Sequence, residues 1–405
     1  MGIVSSLGLS LADVDRSLQE GKSGIAFLSE RRELGFQSGL SGVILGFDEK
    51  SVLDRKGRKT LPEYGLWAWD AVEQALTQAG ITPDSLADDE RTGLVFGNDS
   101  SAVTAVEQVE MLRAAGETKA IGSGHIFRLL TSTITLNFST LLGLRGASWT
   151  VAGACSSGAM AIGQGAELIA GGQQERMICG GAQEISWQSM CSFDALGAFS
   201  RREDEPARAS RPFDRDRDGL VPGGGAAALV LEEYGAAKDR GADILGEVLG
   251  YATASDGYNI VVPSGDGLKR AMRSALEHAS LLPDAIDLVL AHATSTPAGD
   301  RAEAAALRDV FGIQDPKKSP IVTAVKGLTG HEFWMAGASQ AVYALLMAHG
   351  RYAAGNVNLE NIDPEVEFLN LPKETIDLGS RHMLLNASGF GGTNACLVLR
   401  VINER

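Results

Sequence analysis

Cys155 stands in the run Val151-Ala-Gly-Ala-Cys155-Ser-Ser-Gly-Ala-Met160. Before it, Ala147–Val151 is rich in β-formers and reads as a strand. After it, Ser156–Ala170 is rich in Gly and Ala and reads as a closely packed helix. A cysteine at such a junction faces a helix N-terminus, where unpaired amides and the helix dipole favour the thiolate, the nucleophilic form. The same residue also reads as a small buried hydrophobe, as most free cysteines are. Three further segments end strand-like runs with titratable or backbone-exposing residues: Ala291-His292-Ala-Thr294-Ser-Thr296 continuing to Glu303, Ala324-Val-Lys326-Gly-Leu-Thr-Gly-His331, and Asn386-Ala-Ser388-Gly-Phe390-Gly-Gly-Thr-Asn394. Taken one at a time, a histidine at a strand end is more often structural, and Gly-Phe-Gly-Gly is more often a tight turn.

The elements that must position these residues alternate along the chain. Helices are expected at 62–79, 102–115, 129–141, 156–170, 267–279, 300–310 and 336–348. Strands are expected at 91–97, 147–151, 176–181, 226–232, 243–253, 286–292, 321–325, 383–386 and 395–401. The suggestive residues fall at strand C-termini, where open α/β sheets build their sites. Residues 1–8 read as a loop entering a helix at 9–21, with a strand expected upstream of them. Residues 201–218 are highly charged and read for the most part as a solvated loop. The two halves share this rhythm without visible sequence identity.

The chain has 405 residues and a net charge of −15, which argues against nucleic acid and anionic membranes as partners. No apolar run approaches the ~18–20 residues of a membrane span. The first residues lack the basic start and apolar stretch of a signal peptide. Four cysteines, Cys155, Cys179, Cys191 and Cys396, show neither metal-ligand spacing nor a CxxC pattern, which fits a reduced, cytoplasmic protein without a metal site. Gly223-Gly-Gly225 lacks the context of a nucleotide-binding loop.

Cysteine, histidine, lysine plus histidine, then Gly-Phe-Gly-Gly-Thr-Asn, in that order, resembles the β-ketoacyl-[acyl-carrier-protein] synthase family of the thiolase superfamily. Phe193–Ser200 and Ala209–Gly219 resemble the family's central loops, and Val262–Gly267 the pattern of synthase I. The resemblance implies a thiolase-like α/β fold, two similar halves in a five-layered α-β-α-β-α sandwich. The halves would divide as 1–242, with the cysteine, and 243–405, with the histidines and lysine. It implies acyl transfer to Cys155 followed by decarboxylative Claisen condensation with a malonyl thioester. In that chemistry the amides of Cys155 and Phe390 form the oxyanion hole, and His292 and His331 stabilise the enolate. Lys326 tunes the local field and holds His331, with Glu303 as its expected partner, the two setting the imidazole tautomers. Thr294 and Thr296 match positions that bind the phosphopantetheine arm, and Phe390 would gate the acyl pocket. No cofactor is implied beyond the substrate-carrying phosphopantetheine of acyl carrier protein.

The implied partners are acyl carrier protein and a second subunit, either a copy of this chain or a chain-length-factor-like protein. Carrier proteins are acidic, so docking on this acidic chain needs a local basic patch. Asp54-Arg55-Lys56-Gly57-Arg58-Lys59 is the strongest such cluster and resembles the synthase segment that meets the carrier; Lys119 falls near a second such position. The alternative is a solvated basic loop. Departures from the family pattern gather around the site: Glu332-Phe333-Trp334 is bulky where small residues are usual, Ser388 replaces a Phe, Ala293 a Gly, Asn98-Asp99-Ser100 a glycine-rich stretch, and Trp149 lies six residues before Cys155. These are expected to reshape the acyl pocket, with Phe333, Trp334 and Ser388 as substrate contacts, as in a specialised polyketide or polyene synthase. Competing readings are a non-catalytic chain-length subunit, which Cys155 argues against, and a non-decarboxylating acyltransferase, which the histidine pair argues against. A thiolase would need a second reactive cysteine near the C-terminal Gly motif, and Cys396 reads as structural.

Overall fold

In the computed structural model, residues 1–402 are described. Two five-stranded sheets carry the fold. The first contains β1 (Gly2–Ser5), β2 (Thr92–Gly97), β3 (Ser148–Val151), β4 (Arg176–Gln183) and β5 (Gly225–Glu232) in the order β3-β2-β4-β5-β1. The second contains β6 (Gly246–Ser255), β7 (Leu288–Leu290), β8 (Ile321–Thr323), β9 (His382–Gly389) and β10 (Thr393–Val401) in the order β8-β7-β9-β10-β6. Both sheets begin with two parallel pairings and end with two antiparallel ones. Order and direction therefore match strand for strand, so the duplication that the sequence only hints at is explicit in the topology.

The helices explain the burial pattern. Helix α1 (Glu63–Gln78) covers the outer face of the first sheet, against β1 and β5. Helix α2 (Ser157–Ala170) lies between the sheets. Helix α3 (Asp266–His278) covers the outer face of the second, against β6 and β10, and packs on α4 (Pro297–Phe311). Helix α5 (Ala336–Gly350) joins α2 in the middle layer, each touching strands of both sheets. A strand covered on both faces has no solvent side, which is why β2, Thr-Gly-Leu-Val-Phe-Gly, is buried at every position rather than alternating.

Small residues set the depth of the middle layer. A Cβ on Gly337 would stand 2.3 Å from the amide nitrogen of Ala159, and one on Gly158 would stand 2.8 Å from that of Ala338. The two helix backbones thus touch at their N-terminal turns, with only the Ala159 methyl beside the crossing.

Two sequence readings are corrected. Residues 2–5, read as loop, form β1, pairing antiparallel with Gly225–Ala228; two consecutive apolar residues, Ile3 and Val4, were too short a run to register as a strand. The charged loop is only partly solvated. Asp204, Glu205, Arg215 and Asp216 are exposed, but Arg211, Asp214 and Arg217 are buried. Arg217 pairs with Asp300 at 3.3 Å and Asp363 at 2.9 Å, the Phe213 amide donates to Asp300 at 2.9 Å, and Asp214 accepts the amides of Glu360 and Asn361, both at 2.8 Å. Charge density alone does not distinguish a wet loop from one whose ions are paired beneath the surface.

Among the described residues, no helix is long and apolar enough to cross a membrane. The helix crossing yields a direct test. Gly337→Val should lower stability by about 3 kcal/mol through forced separation of α2 and α5, seen as a lower denaturation midpoint; an unchanged midpoint would show that the crossing tolerates a side chain.

Candidate active site

The nucleophile candidate sits on a pinned turn. β3 ends at Val151 and α2 begins at Ser157. Between them Ala154 takes a φ of 49°, a left-handed conformation that costs a non-glycine residue about 1–3 kcal/mol. Hydrogen bonds hold it there. The Ala154 amide donates to Asp99 Oδ2 at 2.9 Å, the Gly153 amide to Ser157 Oγ at 2.8 Å, and Ser157 Oγ donates to the Ala154 carbonyl at 2.6 Å. The result aims Cys155, 5% exposed, into a cavity of about 430 Å³.

From the other half, the end of β9 passes against this turn. A Cβ on Gly389 would come within 2.8 Å of Ala154 Cβ and 3.1 Å of the Cys155 amide nitrogen. Only glycine permits that approach, and it brings the backbone of Phe390 alongside that of Cys155. Phe390 itself is 39% exposed, and its ring stacks on Phe193 with centroids 5.6 Å apart. The next amide, Gly391, donates to the Ile260 carbonyl at 2.8 Å, tying this loop to the cavity mouth.

His292 follows β7. The carboxylate of Glu303, on α4, accepts the amides of His292 at 2.8 Å and Ala293 at 2.7 Å and the Asn386 side-chain amide at 2.9 Å, so it fixes the strand end that carries the ring. His331 follows Gly330, whose φ is 74°, and its amide donates to the Val221 carbonyl at 2.7 Å. The two imidazoles meet edge to face with centroids 5.1 Å apart, and His331 stacks on Phe333 at 4.6 Å. Lys326 opens a short helix, Lys326–Thr329, just beyond β8.

The electrostatics are set first by loss of water. Burial pushes the Cys155 thiol up to about 12; Asp99 adds to the rise, while Lys326 and the residue's own amide act against it. The expectation of a thiolate favoured by the helix end is therefore corrected. A helix terminus is worth up to about 2 kcal/mol, between one and two pKa units, which is less than the burial effect. Lys326 is brought down to about 8 by burial, opposed by Glu303, Glu332, Cys155 and Asp300. Both imidazoles lie well below their ordinary value, through desolvation and then the charge of Lys326, with His331 also acting on His292. They are neutral near pH 7, and a neutral imidazole offers one N–H donor.

Most of the expected site residues converge. Cys155, His292, His331, Thr294, Thr296, Glu303, Phe333, Ser388 and Phe390 line one cavity. Thr294 and Thr296 stand with their hydroxyls 3.1 Å apart, and Ser388 donates to Asn394 Oδ1 at 2.7 Å. Lys326 and Trp334 lie behind that wall. The expected partnership of Lys326 with Glu303 acts through charge and not through a hydrogen bond: Glu303 is occupied by amides, and among the described residues Lys326 Nζ has no hydrogen-bond partner, nor do Nδ1 of His292 and His331. Nothing in that set fixes the imidazole tautomers. Arg55, Lys56 and Lys59 are exposed on and beside a short helix, Arg55–Arg58, outside the cavity. Lys59 donates to Ser123 Oγ at 2.9 Å, joining this cluster to the segment that follows exposed Lys119.

Three contributors escaped the sequence reading. Asp99 clamps the nucleophile turn, Phe193 stacks on Phe390, and Glu332 is a buried carboxylate rather than bulk filler, held by Tyr343 at 2.8 Å and Ser339 at 2.5 Å. Only the departures at 98–100 and 332–334 signalled two of them.

Residues 1–237 match the family Beta-ketoacyl synthase, N-terminal domain, and residues 245–360 match Beta-ketoacyl synthase, C-terminal domain. The chain is 37% identical to 3-oxoacyl-[acyl-carrier-protein] synthase 1 of Escherichia coli (strain K12), over 100% of this chain and 98% of that protein. It superposes on a crystal structure of a beta-ketoacyl synthase from Burkholderia phymatum STM815 with a TM-score of 0.93 and 33% identity, covering 99% of this chain and 98% of the other. It also resembles one chain of a solved complex, a type II PKS acyl-carrier protein with its ketosynthase bound to the hexaketide, at a TM-score of 0.89 and 27% identity, over 99% and 98% of the two chains.

The depressed imidazoles can be checked directly. In a histidine NMR titration, the rings of His292 and His331 should stay neutral through pH 6, because a lowered pKa moves protonation to more acidic solution. An inflection of either ring in the ordinary imidazole range would contradict this electrostatic picture.

Proposed function

The chain belongs to the beta-ketoacyl synthase family, and we propose that within it Cys155 carries the acyl group while His292 and His331 stabilise the enolate. The enzyme is a condensing acyltransferase, a 3-oxoacyl-[acyl-carrier-protein] synthase. The observation that carries the residue assignment is the convergence of a thiol, two neutral imidazoles and the Cys155–Phe390 backbone pair on one cavity.

In the first half-reaction Cys155 Sγ attacks the carbonyl of an acyl thioester. The tetrahedral oxyanion is held by the amides of Cys155 and Phe390. The carrier sulfur leaves and takes the thiol proton, so the resting thiol need not be ionised in advance. In the second, the malonyl thioester loses carbon dioxide, and the electrons of the broken C–C bond move onto its carbonyl oxygen. N–H donors of His292 and His331 receive that charge; neutral rings donate without themselves losing a full charge. The enolate carbon then attacks the Cys155 thioester, the same oxyanion hole is used again, and Cys155 leaves as the sulfur anion, which the Lys326 ammonium stabilises until a proton from solvent restores the thiol. Glu303 positions His292 through the backbone. Thr294 and Thr296, at the cavity wall, receive the phosphopantetheine arm, and Phe390 gates the acyl pocket.

Acyl carrier protein docks on the patch of Arg55, Lys56, Lys59 and Lys119, where local basic charge meets an acidic partner despite the negative total. A second copy of the chain packs against the open edge of the first sheet: among the described residues β3 is paired on one side only, and Val109, Met111, Leu112, Ile126, Phe127 and Leu141 are exposed on helices nearby in sequence. A cytoplasmic setting fits four free cysteines.

Cys155→Ala should abolish the acyl adduct seen by mass spectrometry. His292→Ala and His331→Ala should leave adduct formation in place and slow carbon dioxide release by about 10²–10³-fold. Loss of adduct and decarboxylation together in the histidine variants would argue against this division of labour. Reversing Lys56 and Lys59 to Glu should raise KM for carrier-bound substrates about tenfold while sparing small thioesters; an equal loss on both would place docking elsewhere.

A further inference from the structure

Cys155 separates two regions of very different packing. On one side is the cavity, opening past Thr294 and Thr296 to the exposed segment Asn259–Val262. On the other, Cys155 belongs to a dense apolar cluster with Phe36, Met190, Phe199, Phe333 and Trp334. Among the described residues, the cavity reaches Phe333 but not Trp334, Ser100 or Met190. The carrier arm needs the open side to arrive and leave. An acyl chain left on the sulfur must then extend into the packed side.

Trp334 blocks that direction. It is 8% exposed, its indole Nε1–H donates to Ser100 Oγ at 3.4 Å, and its ring packs on Phe333 with centroids 5.6 Å apart. Phe333 is itself wedged between His331 at 4.6 Å and Phe193 at 4.8 Å, with its backbone at a φ of 41°. The tryptophan has little room to withdraw, because its carbonyl oxygen lies 3.0 Å from the place of a Cβ on Gly158 and 2.9 Å from one on Gly181. Its backbone is seated on the two glycines, and its ring is fixed at the far end by Ser100.

Building on the assignment of Cys155 as acyl carrier, we infer that Trp334 is the chain-length stop of the acyl site and that the primer groups this enzyme accepts are short acyl chains. A packed interior holds few voids larger than a water molecule, so a chain growing from the sulfur meets the indole within a few carbons. In a hydrophobic pocket, each methylene that does not fit costs about tenfold or more in rate. Replacing the indole by a small residue would open an apolar space; a void of about 150 Å³ is enough to take up a benzene-sized guest.

The test is a loading series. Saturated acyl groups of two, four, eight and twelve carbons, each on acyl carrier protein, are offered to the wild type, Trp334→Ala and Trp334→Leu, and the rate of adduct formation on Cys155 is followed by intact mass. The wild type should load the four-carbon group at least tenfold faster than the eight-carbon group, and both variants should shrink that ratio at least tenfold. Circular dichroism reports folding; should Trp334→Ala fail to fold, Trp334→Leu and the wild-type series still decide. A wild type that loads long and short chains alike, or a folded variant with the ratio unchanged, overturns the stop alone. No adduct of any length on Cys155 in the wild type would overturn the nucleophile assignment, and the stop with it.

Discussion

The touching of two backbones at Gly158 and Gly337 governs the rest of this molecule. Each glycine lies in the first turn of a central helix. One helix begins two residues after Cys155, and the other begins five residues after His331. Because neither glycine puts a side chain into the crossing, the two N-terminal turns are held at van der Waals distance, and the groups just ahead of them are delivered to the same place. Interiors pack like organic crystals and do not absorb an extra methyl group without movement. The two missing side chains thus help bring the sulfur and the imidazoles to one cavity.

The same economy recurs at Gly389, where the second half lays its chain directly along the nucleophile turn. The site is consequently a seam. Cysteine and Asp99 come from one sheet, the imidazoles, Lys326 and Phe390 from the other, and the buried ions of Arg217, Asp300 and Asp363 bolt the charged loop of the first half onto the second. Two sheets of identical order, each with its active residues beyond its parallel strands, supply different chemistry because different residues occupy equivalent ends: the thiol follows β3, and the lysine follows β8.

Much of this was legible in the chain. The long periodic helices and the apolar strands fell where expected, because burial on both faces or one leaves a clear pattern. Cys155, His292, His331 and Phe390 could be grouped because each ends a strand beside small residues. What escaped is physically of another kind. β1 is four residues long and owes its existence to pairing with β5, not to its own sequence. Arg217 looks like any arginine in an acidic loop until its partners arrive from 83 and 146 positions downstream. Glu303 was read as a partner for Lys326, but carboxylates satisfy backbone amides as readily as ammonium groups, and spacing along a chain does not say which. The thiol was expected to ionise easily from its place at a helix end; the sequence shows the helix, whereas the desolvation that outweighs it comes from aromatic residues far away in the chain.

That sulfur, with Lys326 beside it, reverses the usual order of the two groups. In water a thiol gives up its proton before an ammonium does; here burial brings the lysine down and pushes the sulfur up, so the order inverts. Peroxides and other electrophiles attack the sulfur anion, and oxidation follows thiolate character and exposure. A thiol that burial keeps protonated presents less of the anion that such reagents attack.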